Sequence, residues 1–206
     1  MSPMGPAPPA SIDDPRHADA SRARWVVGVD GSACSRAALG WAAAHVSGRA
    51  GELRIATTWS LPATIGLPPM GVANAGALHD SLERSACAIV DDAADSLSSR
   101  LDVAVTTSVV RGLASAMLLD AAERSALLIV GTRGNGGFAR LLLGSTSTQC
   151  ATHSASPVAV IPTATLASPA RSIVVAVDGS ASSIDALTWT LEFATPGTSI
   201  ETVSVW

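Results

Sequence analysis

Hydrophobic and polar positions divide the chain into short apolar runs and longer segments with helical spacing. Near-continuous apolar runs of this length are typical of parallel strands that are buried on both faces. Strands that alternate with helices predict a parallel α/β sheet with right-handed crossovers. The five predicted strands are 25–29, 53–59, 103–110, 126–130 and 157–161.

The segments between these runs carry the helical spacing. Ala38, Trp41, Ala42 and His45 lie three or four residues apart, as on one helix face, and Gly48 ends that segment. A longer amphipathic helix is predicted from Leu78, Leu82, Ala86, Ile89, Ala93 and Leu97. Two further helices are predicted at 114–124 and 145–152, and the Pro/Gly-rich stretch 60–76 is predicted to be a long loop.

A glycine-rich segment follows the fourth predicted strand, in the stretch "IVGTRGNGGFARLLLGSTSTQ". Glycine lets backbone N–H groups approach an anion closely, and a helix N-terminus adds unpaired N–H donors and a positive dipole end. The hydroxyls of Ser145 and Thr146 would add donors, and Arg133 and Arg140 could add charge. The segment therefore fits a phosphate-binding loop, although a flexible loop with an ordinary serine cap explains the composition equally well.

Asp30 follows the first strand and precedes Gly31 and Ser32. Open parallel sheets bind ligands beyond the carboxyl ends of their strands, where the strand order reverses. Asp30 is therefore a candidate ligand contact. It is also a common residue type for a turn before a helix, in which Ser32 or Ser35 would cap the helix.

Composition narrows the class of protein. No apolar run reaches the ~18 residues of a membrane span. The leader 1–23 is rich in Pro and Ala, and is predicted to be disordered rather than a secretory signal. A net charge of −4 argues against binding to a nucleic-acid backbone. The cysteines Cys34, Cys87 and Cys150 are far apart and odd in number, which fits reduced thiols in a cytoplasmic protein.

The chemistry available for catalysis is limited. All 13 basic residues are arginine, so a Walker A loop and a lysine Schiff base are both impossible. The four histidines share no metal-ligand spacing, and nothing resembles a Ser/His/Asp or Cys/His arrangement. The sequence offers a candidate anion cradle with no evident catalytic base apart from Asp30.

The first part of the sequence recurs near the end of the chain. Asp30-Gly31-Ser32 matches Asp178-Gly179-Ser180. Trp41 matches Trp189 with the same offset, and the next apolar segments end in Trp59 and Trp206. The pattern predicts a tandem repeat whose second copy contains only a strand, a helix and a strand.

The spacing Gly131-x2-Gly134-x9-Gly144-Ser145 resembles the G-x2-G-x9-G-[ST] nucleotide loop of the universal stress protein family. "VVGVDGS", "VVRG" and "SPVAVI" agree with the family at the other strand ends. The resemblance implies a Rossmann-like fold, similar to the adenine nucleotide alpha hydrolases, with a five-stranded parallel sheet in the order 3-2-1-4-5 and helices on both faces. It implies a full domain at 24–162, a linker at 163–170 and a truncated second copy at 171–206.

The resemblance also implies a binding site for ATP with Mg²⁺. The glycines and the hydroxyl residues after them would hold phosphates and ribose, Asp30 would lie near the ribose and metal–phosphate side, and the backbone of Thr58 would read the adenine edge. The implied binding residues are Asp30, Thr58, Gly131, Thr132, Gly134, Gly144, Ser145 and Thr146.

Function is expected to follow from this binding. The resemblance implies a cytoplasmic, nucleotide-dependent regulator of stress or dormancy responses, which is not a fast enzyme. A homodimer through the strand 157–161 is expected, because that strand is short, apolar and at the sheet edge. Neither nucleic acid nor membrane is expected as a partner. A slow ATP hydrolase and a nucleotide-free interaction module are the alternatives.

Overall fold

The computed structural model describes residues 24–61, 72–97, 101–134, 143–163 and 170–204. The chain divides into two compact units, Met1–Thr165 and Leu166–Trp206, and each is described separately. The predicted leader 1–23 and the linker residues 164–169 lie outside the described residues.

Strands and helices alternate along the described part of the first unit. The strands are β1 (Arg24–Gly28), β2 (Glu52–Trp59), β3 (Ala104–Arg111), β4 (Leu127–Gly131) and β5 (Val158–Ile161). The helices are α1 (Ala33–Val46), α2 (Val72–Asp95), α3 (Ala114–Ala122) and α4 (Ser145–His153). In the described ranges no helix combines the length and the apolar character needed to cross a membrane.

The five strands form one parallel sheet in the order β3-β2-β1-β4-β5, which confirms the predicted order. The chain first adds strands on one side of β1 and then, from β4 on, adds them on the other side. In this register Trp25 of β1 lies beside Leu53 of β2 and Leu127 of β4. The carboxyl ends of β1 and β4 are therefore neighbours at the reversal point, where a cleft can open.

Helices cover both faces of this sheet. On one face α1 packs against β1, β4 and β5, and α2 packs against β2 and β3. The side chain of Trp41 on α1 stacks on Trp25 of β1 at 6.1 Å between ring centroids. On the other face, side chains of α3 and α4 join the fully buried Val26 in one hydrophobic cluster. The central strands β1 and β4 are buried on both faces, as their apolar runs predict.

Helix α2 begins earlier than the sequence pattern indicates. The stretch 60–76 is predicted to be a loop, but residues from Val72 onward are helical. Residues 62–71 lie outside the described residues. The prolines and glycines that suggested a loop give way to "VANAGAL", whose three alanines favour a helix strongly enough to tolerate Gly76.

The amino ends of three neighbouring strands are joined by Glu52. Its carboxylate accepts hydrogen bonds from Arg24 Nε at 2.7 Å and from Thr106 Oγ1 at 2.6 Å. Burial raises the pKa of Glu52, but the Thr106 hydroxyl and the guanidinium groups of Arg24 and Arg54 outweigh it and hold the pKa below its ordinary value. This network lies at the amino ends of the strands, whereas the reversal point considered above lies at their carboxyl ends.

The second unit is much smaller. It contains β6 (Ser172–Ala176), α5 (Ala181–Phe193) and β7 (Ser199–Val203), with β6 and β7 parallel. Val175 of β6 is buried, whereas Val174 on the opposite face is 61% exposed. A single helix thus covers one face of a two-stranded sheet in the described part of this unit.

Candidate functional site

A cleft of about 340 Å³ opens at the carboxyl ends of β1, β2 and β4. Its volume lies within the ~300–1,000 Å³ range of small-molecule sites. Seven of the eight predicted binding residues line it: Asp30, Thr58, Gly131, Gly134, Gly144, Ser145 and Thr146. Residues that are far apart in the sequence therefore meet at the predicted point of the sheet.

Asp30 lies in a tight turn between β1 and α1. Its Oδ1 accepts a hydrogen bond from the Ser32 N–H at 3.0 Å, and Gly31 adopts φ +76°, which L side chains rarely reach. Ser32 caps α1, because its side chain accepts a hydrogen bond from the Ser35 N–H at 3.1 Å. These local bonds place the Asp30 carboxylate at the mouth of the cleft.

The glycine-rich segment reaches this turn at Gly134. A Cβ atom added at Gly134 would collide with Oδ2 of Asp30, so the missing side chain leaves the space that the carboxylate uses. The Ser32 hydroxyl also donates to the Arg133 carbonyl oxygen at 3.4 Å. The turn after β1 and the segment after β4 are thus joined directly across the cleft.

The far end of the glycine-rich segment enters α4. Gly144 occupies the N-cap position, with no side-chain cap, and its N–H donates to the Thr132 carbonyl oxygen at 2.7 Å. The first N–H groups of a helix have no intrahelical partner, and they form the positive end of its dipole. Because Ser145 and Thr146 line the cleft, this end of the helix faces the space where a ligand would lie.

Thr132, the eighth predicted residue, does not line the cleft. Its hydroxyl donates to the Cys34 Sγ at 3.6 Å, and its carbonyl oxygen accepts from Ser147 Oγ at 2.9 Å as well as from the Gly144 N–H. Its side chain is therefore turned toward α1 rather than toward the cleft.

The inner wall of the cleft is apolar. It is formed by Ala56 of β2, Leu118 of α3 and Val130 of β4. A Cβ at Gly28 would lie 2.9 Å from a Leu118 methyl group, so the glycine at the end of β1 makes room for that side chain. An apolar lining that carries a few polar groups is typical of small-molecule sites.

Several lining residues were missed by the sequence reasoning. Arg133 lines the cleft and was already a candidate positive charge. Among the lining residues that were not predicted, Ser147 had a local signal, because it is the third of four consecutive hydroxyl residues, 145–148. Leu118 had none, because only the packing of α3 on the sheet brings it to the cleft. Arg140, a candidate positive charge, lies outside the described residues.

The same aspartate turn recurs in the second unit. Asp178 Oδ1 accepts from the Ser180 N–H at 2.9 Å, and Ser180 accepts from the Ser183 N–H at 3.2 Å. The Ser180 side chain and backbone lower the pKa of Asp178 to about 2. The turn is therefore a local structure that also forms in a unit whose described residues include no glycine-rich segment, whereas Asp30 lines the cleft of the first unit.

A doubly wound parallel sheet with a cleft at its reversal point and a glycine-rich strand-to-helix connection defines the class of doubly wound α/β proteins, in which ligand sites lie at that point. The universal stress protein family profile matches residues 22–162. The chain belongs to the universal stress protein family.

Mycobacterial relatives support this assignment. A universal stress protein of Mycobacterium tuberculosis (strain H37Rv) is 32% identical over 180 residues, covering 77% of this chain and 54% of the relative. One from Mycolicibacterium smegmatis is 32% identical over 139 residues, covering 66% of this chain and 47% of the relative. The chain thus spans about half the length of the curated relatives it matches.

Solved structures share the fold. The universal stress protein UspA of Lactobacillus plantarum superposes with a TM-score of 0.58 at 20% identity, covering 67% of this chain and 96% of that protein. A universal stress protein in complex with cAMP superposes with a TM-score of 0.52 at 26% identity, covering 68% of this chain and 97% of that protein.

Proposed function

We propose that this protein binds ATP with Mg²⁺ in the cleft, and that nucleotide occupancy regulates a stress or dormancy response. The observation that carries the proposal is the convergence of Asp30, both ends of the glycine-rich segment and the N-terminus of α4 on one cleft. A related universal stress protein was solved in complex with cAMP, which supports an adenine nucleotide as the ligand class.

The phosphates would lie against the start of α4. Unpaired N–H groups and the helix dipole favour an anion there, and the hydroxyls of Ser145 and Thr146 supply further donors. Gly131 and Gly134 let the backbone approach the phosphates without side chains between them. Arg133 also lines this part of the cleft and adds a positive charge.

Different residues of the cleft would hold Mg²⁺ and the adenine ring. Mg²⁺ is commonly held by one or two carboxylates together with substrate phosphates. Asp30 provides the one carboxylate among the described lining residues, so it and the phosphates would share the ion. The adenine ring would fill the apolar end, beside Leu118 and the backbone of Thr58.

The lining chemistry favours holding the nucleotide over consuming it. Among the described lining residues there is no histidine and no second carboxylate, so Asp30 would have to serve both the metal and the attacking water. We therefore propose that turnover is negligible, well below the ~10 s⁻¹ that is typical of enzymes.

Nucleotide released from the purified, heat-denatured protein tests the ligand directly. We expect chromatography and mass spectrometry to show an adenine nucleotide, and calorimetry to show binding of Mg-ATP with no comparable heat for Mg-GTP. Equal heats for ATP and GTP, or none for either, would contradict the proposal. Steady phosphate release that Asp30→Ala abolishes would instead make the protein an ATP hydrolase.

We also propose homodimerisation through β5, a short apolar strand at the edge of the described five-stranded sheet, because edge strands can pair with a strand of another chain. Val158 and Val160 pack against the core cluster, so lysine at these positions would disturb folding as well as an interface. Light scattering of the unaltered chain is the cleaner measurement. It should give twice the 20.7 kDa chain mass, and a single chain mass at high concentration would exclude the dimer.

A further inference from the structure

Three side chains join three elements directly behind the cleft. Cys34 lies in the first turn of α1, Thr132 follows β4, and Thr163 follows β5. The Cys34 sulfur contacts the Thr163 hydroxyl at 3.1 Å and accepts a hydrogen bond from the Thr132 hydroxyl at 3.6 Å. Cys34 is only 8% exposed, so solvent cannot easily replace these partners. We call these three residues the Cys34 network.

The backbone of Thr132 is fully engaged as well. Its N–H donates to the Ile161 carbonyl oxygen at 3.0 Å, which ties it to β5. Its carbonyl oxygen accepts from the Gly144 N–H at 2.7 Å and from Ser147 Oγ at 2.9 Å. One residue thus holds the beginning of the glycine-rich segment against the sheet and fixes its end at the N-cap of α4.

The close approach of β4 to α1 makes this arrangement possible. A Cβ added at Gly131 would lie 2.7 Å from the Cys34 carbonyl carbon, so the two backbones are already in contact. The hydroxyl of Thr163 lowers the pKa of the Cys34 thiol, and the Thr132 hydroxyl and Arg133 lower it further, while burial opposes them. The lowered pKa agrees with a sulfur that serves mainly as a hydrogen-bond acceptor.

We propose that Thr132 is a positioning residue, held by Cys34 and Thr163, that sets the N-terminus of α4 for the phosphate end of the ligand. The proposal rests on the proposed nucleotide function and assigns Thr132 a role behind the cleft instead of a ligand contact. Its effect would reach the ligand through Gly144 and Ser147, which depend on the Thr132 carbonyl oxygen for their position.

Valine at position 132 tests this role, because it keeps the shape and β-branching of threonine but removes the hydroxyl. We expect Thr132→Val to raise the dissociation constant of Mg-ATP by about tenfold, the effect of roughly one lost hydrogen bond. The dissociation constant of adenosine, which has no phosphate, should change by less than about twofold. Thr132→Ser keeps the hydroxyl and should bind ATP like the unaltered protein.

Two further variants test the network as a unit. Thr163→Val and Cys34→Ala should each weaken ATP binding, and neither should add its full effect to that of Thr132→Val, since residues of one network are not independent. Thr152→Val is the matched control, because the Thr152 hydroxyl donates to the Thr148 carbonyl oxygen within α4 and Thr152 is not a member of the Cys34 network. If Thr132→Val fails to fold, the ATP affinity of Thr163→Val and the exchange rate of the Gly144 amide in Thr163→Val decide the proposal.

Hydrogen exchange at the Gly144 amide provides a readout that does not need a ligand. Exchange there should be faster in Thr132→Val than in the unaltered protein. If the unaltered protein binds no adenine nucleotide, the proposed function fails, and this exchange rate alone decides the positioning role. Equal losses of ATP and adenosine affinity, or an unchanged Gly144 exchange rate, would overturn the proposal.

Discussion

Replacement of Gly131 by alanine should lower the free energy of unfolding of the first unit by about 3 kcal/mol, the upper part of the usual range for overpacking. The added Cβ would lie 2.7–2.8 Å from the carbonyl group and the Cβ of Cys34. Backbone atoms cannot move aside as a flexible side-chain end can. Relief of the clash therefore requires β4 to separate from the first turn of α1, with loss of packing in the centre of the sheet.

The same substitution at Gly40 provides the control. Gly40 lies within α1, and a Cβ there would meet no other atom within 4 Å. Alanine is favoured over glycine inside a helix by roughly 0.5–1 kcal/mol, so Gly40→Ala should stabilise the protein. Urea denaturation followed by circular dichroism should give opposite shifts of the midpoint for the two variants. Equal midpoints would show that β4 can move away from α1 at little cost.

The central strands were predictable from the sequence because a strand that is buried on both faces consists of a nearly continuous apolar run. β1 and β4 have almost no exposed residues, and their apolar runs identify them without knowledge of the fold. The start of α2 was not predictable from Pro and Gly content. Three prolines and three glycines are spread over the 17 residues of 60–76, whereas the helix begins where alanine becomes frequent.

The candidate site was predictable where its chemistry is local. The glycine spacing, the hydroxyl residues after Gly144 and the aspartate at the end of β1 are all visible along the chain, and the structure brings them to one cleft. The position of Thr132 depends on Cys34 and Thr163, which are distant in sequence and carry no motif. A sequence pattern identifies residues near a site, but it cannot distinguish those that line the cleft from those that lie behind it.

A comparison of the two aspartate turns indicates what the cleft requires beyond the turn itself. Val26 of β1 is fully buried under α3 and α4, whereas the corresponding Val174 of β6 is 61% exposed. Among the described residues of the second unit nothing corresponds to those two helices or to β4. The turn around Asp178 keeps its hydrogen bonds all the same. Ligand binding is therefore proposed to arise from β4 and α4, which bring the glycine-rich segment against the turn.

Gly134→Val should weaken the binding of Mg-ATP by at least about 100-fold, or roughly 2.7 kcal/mol. It should lower the free energy of unfolding by only about 1 kcal/mol, the net value of one hydrogen bond. A Cβ at Gly134 would collide with Oδ2 of Asp30, the end of a side chain that can rotate away. That rotation breaks the Asp30–Ser32 hydrogen bond and moves the carboxylate from the place where it would meet the metal. The valine side chain would also cover the backbone that the phosphates are proposed to approach.

Gly76→Val makes the same chemical change on α2, where a Cβ would meet nothing within 4 Å, and it should bind Mg-ATP normally. Calorimetry measures both affinities, and urea denaturation verifies that both variants are folded. The Gly131 substitution should lower stability because the added Cβ collides with the backbone of Cys34. The Gly134 substitution should mainly lower the affinity for ATP because it displaces the carboxylate of Asp30. Normal ATP binding by a folded Gly134→Val protein would remove the glycine-rich segment from the nucleotide site.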